Sequence, residues 1–198
     1  MTLLVHSAVR SIGSVYGKAA TVRDALLEAI APFGTLIVPT YTFAFCHGAS
    51  FMADVTPSEM GALSEVVRKT YGAVRINHPI YSFALLGERA TTLARLTYGH
   101  DDCFGRDSLL RSLPKWGAYI LSIGLEWNDF WTQVHAIEQQ EWEKDKALVP
   151  YRHMVNIRGY GMFARRLDAG VVTAVNPMGQ RLEDAGIVRT GYVGEAPC

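Results

Sequence analysis

His135 and Glu138 stand three residues apart in TQVHAIEQQEWEK (132–144), a stretch whose pattern predicts a helix, so both side chains share one face. A carboxylate beside an imidazole fixes its tautomer and raises its basicity, the arrangement of a general base. The pair could also ligate a metal, but no third ligand accompanies it, so no metal is expected. An ordinary solvated helix face carries such pairs as well. In LLVHSAVRSIG (3–13) an apolar strand runs into His6 and Ser7, then Ala8, Val9, Arg10, Ser11 and Gly13. Small residues at 7, 8, 11 and 13 admit a ligand to the main chain, hydroxyls and N–H groups suit a phosphate, and Arg10 adds charge. Serines that merely cap a turn give the same sequence. The stretch matches neither GxGxxG nor GxxxxGKS.

Two further stretches offer polar groups. In VPTYTF (38–43) Pro39 frees the chain at a strand's C-terminal end, where α/β sheets place ligands, and Thr40 and Thr42 supply hydroxyls there or are ordinary strand threonines. In NHPIYS (77–82) His78-Pro79 makes an extended corner, and Ser82 could reach the same cavity. His78 is otherwise a satisfied structural histidine. HDDC (100–103) reads as a polar loop able to meet a cationic substrate, and Trp127, Trp131 and Trp142 as an apolar wall or core filling.

Elements of two periods must position these groups. LLVHS is a strand, and TVRDALLEAIA (21–31) a helix with Thr21 as N-cap and Val22, Leu26, Leu27 and Ile30 on one face. TLIVPTYTF begins as a strand, Ser58 opens the helix SEMGALSEVVRKT, SFALL is a strand and ERATTLARLTYG a helix. SLLRSLPKWG is a short helix, and AYILSIG a strand of the buried kind. VNIRGYG is extended and MGQRLEDAG helical. The alternation predicts an α/β layered sheet. Of 198 residues, 49% are apolar and 19% charged, with 19 basic and 19 acidic groups, which excludes disorder and the basic stripe of a nucleic-acid binder. No apolar run approaches the ~20 residues of a membrane helix, and MTLLVHS lacks the features of a signal peptide. Cys46, Cys103 and Cys198 are odd in number and far apart, so a reducing, cytoplasmic setting is expected. The chain reads as short at both ends, starting inside its first strand and lacking a closing helix.

In this order and spacing, LLVHSAVRSIG (3–13), GTLIVPTYTF (34–43), TPSEMGALSEVVR (56–68), AVRINHPIYSFALLG (73–87), FGRDSLL (104–110), ILSIGLEWN (120–128) and Thr132 with His135 and Glu138 resemble the aminoglycoside 3-N-acetyltransferase family. The resemblance covers nearly the whole chain and is weakest in the last 50 residues. It implies one acetyl-CoA-dependent N-acetyltransferase domain over 1–198, with a central mixed β-sheet flanked by helices and no metal. It implies that residues 6–13 hold the pantetheine and pyrophosphate of CoA, and that Thr40 and Tyr41 lie near the thioester. It also implies that His78, Ser82 and Ser108 join the coenzyme side, and that His135 is the general base with Glu138 supporting it.

The chemistry agrees with that implication. An alkyl amine near neutral pH is mostly protonated and must lose a proton before it attacks a thioester. Direct transfer in a ternary complex uses proximity and needs no acyl-enzyme. Thr40 is the candidate donor to the tetrahedral oxyanion. A polycationic aminoglycoside asks for carboxylates, for which Asp101, Asp102, Glu126, Asp129 and Glu141 are the candidates. The aromatic WNDFWTQVH, with Arg152, Arg158, Arg165, Arg166 and VPYRH (149–153), keeps a nucleotide-linked amino sugar of surface-polysaccharide synthesis as the alternative acceptor. A CoA-binding module without catalysis is a second alternative, against which His135 and Glu138 argue. A hydrolase using Ser7 is a third, against which the missing nucleophile elbow argues. Expected partners are acetyl-CoA and a small amine-bearing sugar, with neither nucleic acid nor membrane; a homodimer is compatible with this reading.

Overall fold

The computed structural model describes residues 1–130, 132–144, 152–157, 160–165 and 175–198. In chain order its main elements begin with β1 (Thr2–Ser7), α1 (Lys18–Ile30), β2 (Thr35–Pro39) and α2 (Ala62–Arg68). β3 (Val74–Arg75), β4 (Phe83–Gly87), α3 (Ala90–Leu96), α4 (Leu109–Ser112) and β5 (Ala118–Ile123) follow. Then come α5 (Trp127–Phe130), α6 (Thr132–Lys144), β6 (Arg152–Ile157), β7 (Tyr160–Arg165), α7 (Val175–Asp184), β8 (Tyr192–Val193) and β9 (Ala196–Pro197). The central sheet has the order β3-β4-β2-β1-β5. β1 is parallel to β2 and β5, whereas β4 is antiparallel to β2 and β3, so the sheet is mixed.

Register sets where the site lies. Ser7 pairs with Ile123 at the ends of β1 and β5, and Pro39 at the end of β2 pairs with Phe83 at the start of β4. The four segments HSAVRSIG, PTYT, NHPIYS and SIGLEW therefore leave or enter the sheet at one end, the usual ligand end of such sheets. Side-chain alternation along the strands builds two apolar layers. Leu4, Ile37, Phe83 and Leu85 pack with Leu93 of α3, Leu109 and Leu110 of α4 and Ala136 of α6. Leu3, Val5, Leu36 and Val38 pack with Val22 and Ile30 of α1 and Leu63 and Val67 of α2.

Three sequence expectations change. α1 starts at Lys18 behind Gly17, and Thr21 lies inside it, its hydroxyl donating to the Tyr16 carbonyl at 2.6 Å instead of capping. α2 starts at Ala62, because Ser58 is held in the preceding turn: its N–H donates to Glu65 Oε2 at 3.0 Å and its Oγ accepts from Met60 N–H at 3.1 Å. Among the described residues β5 is an edge strand, not a buried one, with Tyr119 65% and Ile120 41% exposed. The β8–β9 hairpin closes on the ligand end, where Gly124 N–H donates to Pro197 O at 2.6 Å and Glu195 N–H to Ile12 O at 3.2 Å. Trp131, Arg158 and Arg166, and residues 149–151 of VPYRH, lie outside the described residues. Among the described residues no helix is long and apolar enough to cross a membrane.

Candidate active site

α6 carries the base candidate. His135 Nδ1 lies 2.9 Å from Glu138 Oε2, one turn along the same face, and both side chains are partly buried. The carboxylate can only accept, so Nδ1 carries the proton and Nε2 is the basic nitrogen of the neutral ring. The His135 ring meets Phe104 edge to face at 5.5 Å between centroids. Phe104 packs on Tyr81 at 5.0 Å, and Tyr81 on Tyr41 at 5.0 Å. Tyr81 and Tyr41 flank the β4 and β2 ends, so this aromatic chain ties His135 to the ligand end of the sheet.

The segment 6–13 forms a tight turn at the end of β1. A 3-10 turn spans Val9–Ile12, and Gly13 adopts a φ of 89°. Ala8 N–H donates to Ile123 O at 2.9 Å, Ser11 N–H to Ala8 O at 2.9 Å and Gly13 N–H to Arg10 O at 3.4 Å. The Ser11 hydroxyl also donates to Ala8 O at 2.7 Å. These groups shape the turn, and Arg10 is exposed on it. His6 and Ser7 face opposite sides of the sheet. His6 is buried, and burial lowers its pKa to about 4, so it is neutral. The Glu195 carboxylate lies against Gly13, where an added Cβ would meet its Cδ at 3.2 Å. Glu195 is a missed neighbour of the predicted coenzyme loop; only the VGEAP turn hinted at it.

The other predicted coenzyme contacts are engaged within the fold. Thr40 and Ser82 are fully buried, with hydroxyls 2.8 Å apart. Ser82 Oγ donates to Thr40 O at 2.7 Å, which leaves the Thr40 proton for Ser82. Thr40 N–H donates to Ser82 O at 2.9 Å. Thr40 therefore has no donor left for an oxyanion, and that expectation is corrected. Arg75, which sequence reasoning passed over, is the hub here. Its Nε donates to Thr40 Oγ1 and Ser82 Oγ at 3.1 Å each, and its Nη atoms reach Thr40 O, Thr42 Oγ1, Ala53 O and Thr56 O. With neutral partners, burial lowers its pKa to about 10.

His78 is a structural histidine. Its Nδ1 accepts from the N–H groups of Ile80 (3.1 Å) and Tyr81 (2.9 Å), and its Nε2 donates to Asp101 O at 3.1 Å. Burial lowers its pKa to about 4. The Tyr41 side chain is core: its buried hydroxyl lies toward Thr132 of α6 without a hydrogen bond of normal geometry, and burial pushes the phenol up. Ser108 Oγ caps α4 by accepting from Arg111 N–H at 3.3 Å.

The acceptor-side carboxylates separate likewise. Glu126 and Asp129 are exposed on the connection that leads from β5 into α6. Glu141 pairs with Lys144 at 2.6 Å in a largely exposed ion pair, and Asp102 is engaged at both oxygens, one within its own turn and the other with Gln139 of α6. Asp101 lines a cleft of about 490 Å³ between β3, α3 and residues 97–101, which includes neither His135 nor any of residues 6–13. Among the described residues no group of three or more His, Cys, Asp or Glu could hold a metal ion.

Comparison with known proteins agrees with this architecture. A family model described as aminoglycoside 3-N-acetyltransferase matches residues 4–198. Aminoglycoside N(3)-acetyltransferase VIII of Streptomyces fradiae is 31% identical over 228 aligned residues, covering 99% of this chain and 79% of the relative. The crystal structure of aminoglycoside acetyltransferase AAC(3)-Xa superposes with a TM-score of 0.75 at 26% identity, over 99% of this chain and 80% of that one. AAC-IIIb, solved as a binary complex with CoASH, has the same fold, with a TM-score of 0.73 at 21% identity over 99% and 82% of the two chains. The motif order read from the sequence, the mixed sheet that gathers those motifs at one end and the family match over 4–198 converge: the chain belongs to the aminoglycoside 3-N-acetyltransferase family, a family of acyltransferases.

Proposed function

We propose that the protein transfers an acetyl group from acetyl-CoA to an amine of an aminoglycoside, by direct attack in a ternary complex with His135 as general base. The observation that carries this reading is the 2.9 Å His135–Glu138 contact on a helix tied by aromatic packing to the ligand end of the sheet. Glu138 holds the Nδ1–H tautomer, so Nε2 takes a proton from the substrate ammonium. The neutral amine nitrogen then bonds to the thioester carbon, the C–S bond breaks, the second proton of the nitrogen passes to the departing thiolate to give CoASH, and His135 returns the first proton to solvent. The CoASH complex of the fold relative supports CoA as the coenzyme; the small residues of the β1 turn would receive it, with the exposed Arg10 meeting a phosphate.

Thiol release from acetyl-CoA tests this, with aminoglycosides including sisomicin, nucleotide-linked amino sugars in parallel, and a control without acceptor. Release with aminoglycosides alone is expected. Release only with the nucleotide-linked sugars would replace the acceptor. A chain that CoA stabilises thermally but that releases no thiol with either class would be a binding module.

A further inference from the structure

The turn at 101–105 links the two ends of one short circuit. Asp102 Oδ1 accepts the backbone N–H groups of Phe104 at 3.1 Å and Gly105 at 2.9 Å. Its other oxygen accepts Gln139 Nε2 at 2.6 Å. Gln139 lies one turn beyond His135 on α6 and is 2% exposed. Its amide has one possible orientation, because the same Nε2 faces a second carboxylate, Glu143 Oε1, at 3.2 Å, and only the nitrogen end can donate to both. Glu143 is in turn anchored to α4 by Arg111 at 3.0 Å. Gly105 fits the turn because it has no side chain: a Cβ there would meet Asp102 Oδ2 at 2.6 Å. The residue held by this turn, Phe104, is fully buried and sets its ring against His135 at 77°.

We propose that Asp102 and Gln139 are positioning residues for the reaction. Together they clamp the 101–105 turn to α6, hold Phe104 against the imidazole, and so fix the plane in which Glu138 and Phe104 confine the His135 ring. The proposal rests on His135 acting as the base. Glu138 restrains one nitrogen, and the aromatic contact opposes rotation about that hydrogen bond. A base displaced by about 1 Å can cost up to ~100-fold in rate. Asp102 thus leaves the set of acceptor-binding carboxylates expected from sequence.

The test uses the full chain with Asp102→Asn and Gln139→Met, alone and together. Asp102→Asn keeps an oxygen for the turn but sets an amide nitrogen against Gln139, and Gln139→Met keeps side-chain volume. Each is expected to lower kcat for acetylation of sisomicin roughly tenfold or more, with KM for acetyl-CoA within about twofold. The double variant should be no slower than the worse single one, because both remove the same contact. The His135 imidazole proton resonances should move in each variant as the Phe104 ring shifts. Wild-type kcat, or a lowered kcat with unmoved His135 resonances, would overturn the clamp. If Asp102→Asn does not fold, Gln139→Met alone carries both readouts. Full turnover in His135→Ala would instead remove the base assignment, and the resonances would still report whether the clamp exists.

Discussion

The chain's histidines show how partners, not residue type, decide role. His135 faces a carboxylate on its own helix, whereas His78 has both ring nitrogens committed to backbone and stays neutral. The first pairing was legible because both partners lie within one helical turn. The second was not, since Asp101 O is 23 residues away. Arg75 makes the same point more strongly: its partners at 40, 42, 53, 56 and 82 come from three segments, and no local pattern announces them. Arg75→Leu should destabilise the fold by roughly 3 kcal/mol, because several buried acceptors lose their donor at once. Chemical denaturation measures this; a loss under about 0.5 kcal/mol would mean that water replaces the guanidinium. Thr40→Ser keeps the hydroxyl that the network needs, so it should hold both melting temperature and kcat close to wild type, as an activity assay beside a thermal melt would show.

At the scale of elements, motif order foretold that several loops meet, and the strand registers place them at one end of the sheet. What sequence missed was position within the sheet. AYILSIG has the composition of a central parallel strand, yet β5 is an edge, because the next described strands, β6 and β7, pair with each other. Composition reports burial on average and does not encode strand order. The closing hairpin was also missed, since two-residue strands carry no periodicity. Its docking makes Gly124 critical: the residue has a φ of 65°, and a Cβ would fall 1.6 Å from Ser11 Oγ. Gly124→Ala should push the β5 end away from the β1 turn. The expected result is a several-fold rise in KM for acetyl-CoA and a loss of about 2 kcal/mol, or ~4–8 °C in Tm. An unchanged KM would show that the turn does not hold the coenzyme.

For the molecule as a whole, pH acts through its buried imidazoles. His6 and His78 titrate near 6.5 when unfolded and at about 4 in the fold, both through desolvation. The unfolded chain therefore binds more protons between these values, and stability must fall as pH drops from about 6.5 towards 4. Each histidine contributes on the order of 3 kcal/mol to that loss by pH 4. Glu65, held down to about 2 by its hydrogen bonds with Arg68, adds a loss of the same sign below about 4.5. Melts from pH 7.5 to 4.5 should show Tm falling steadily, and His78→Gln should flatten part of that slope; a flat profile in the wild type would mean that these rings are protonated in the fold. Above that pH range the architecture has one chemical purpose in this account, to deliver an unprotonated amine to a thioester. The measurement that tests it most directly is acetyl-CoA thiol release by wild type and His135→Ala with the same aminoglycoside, beside calorimetric CoA binding by both. His135→Ala should lose at least about a hundredfold in kcat with CoA affinity unchanged within about threefold. Wild-type turnover in His135→Ala would contradict it.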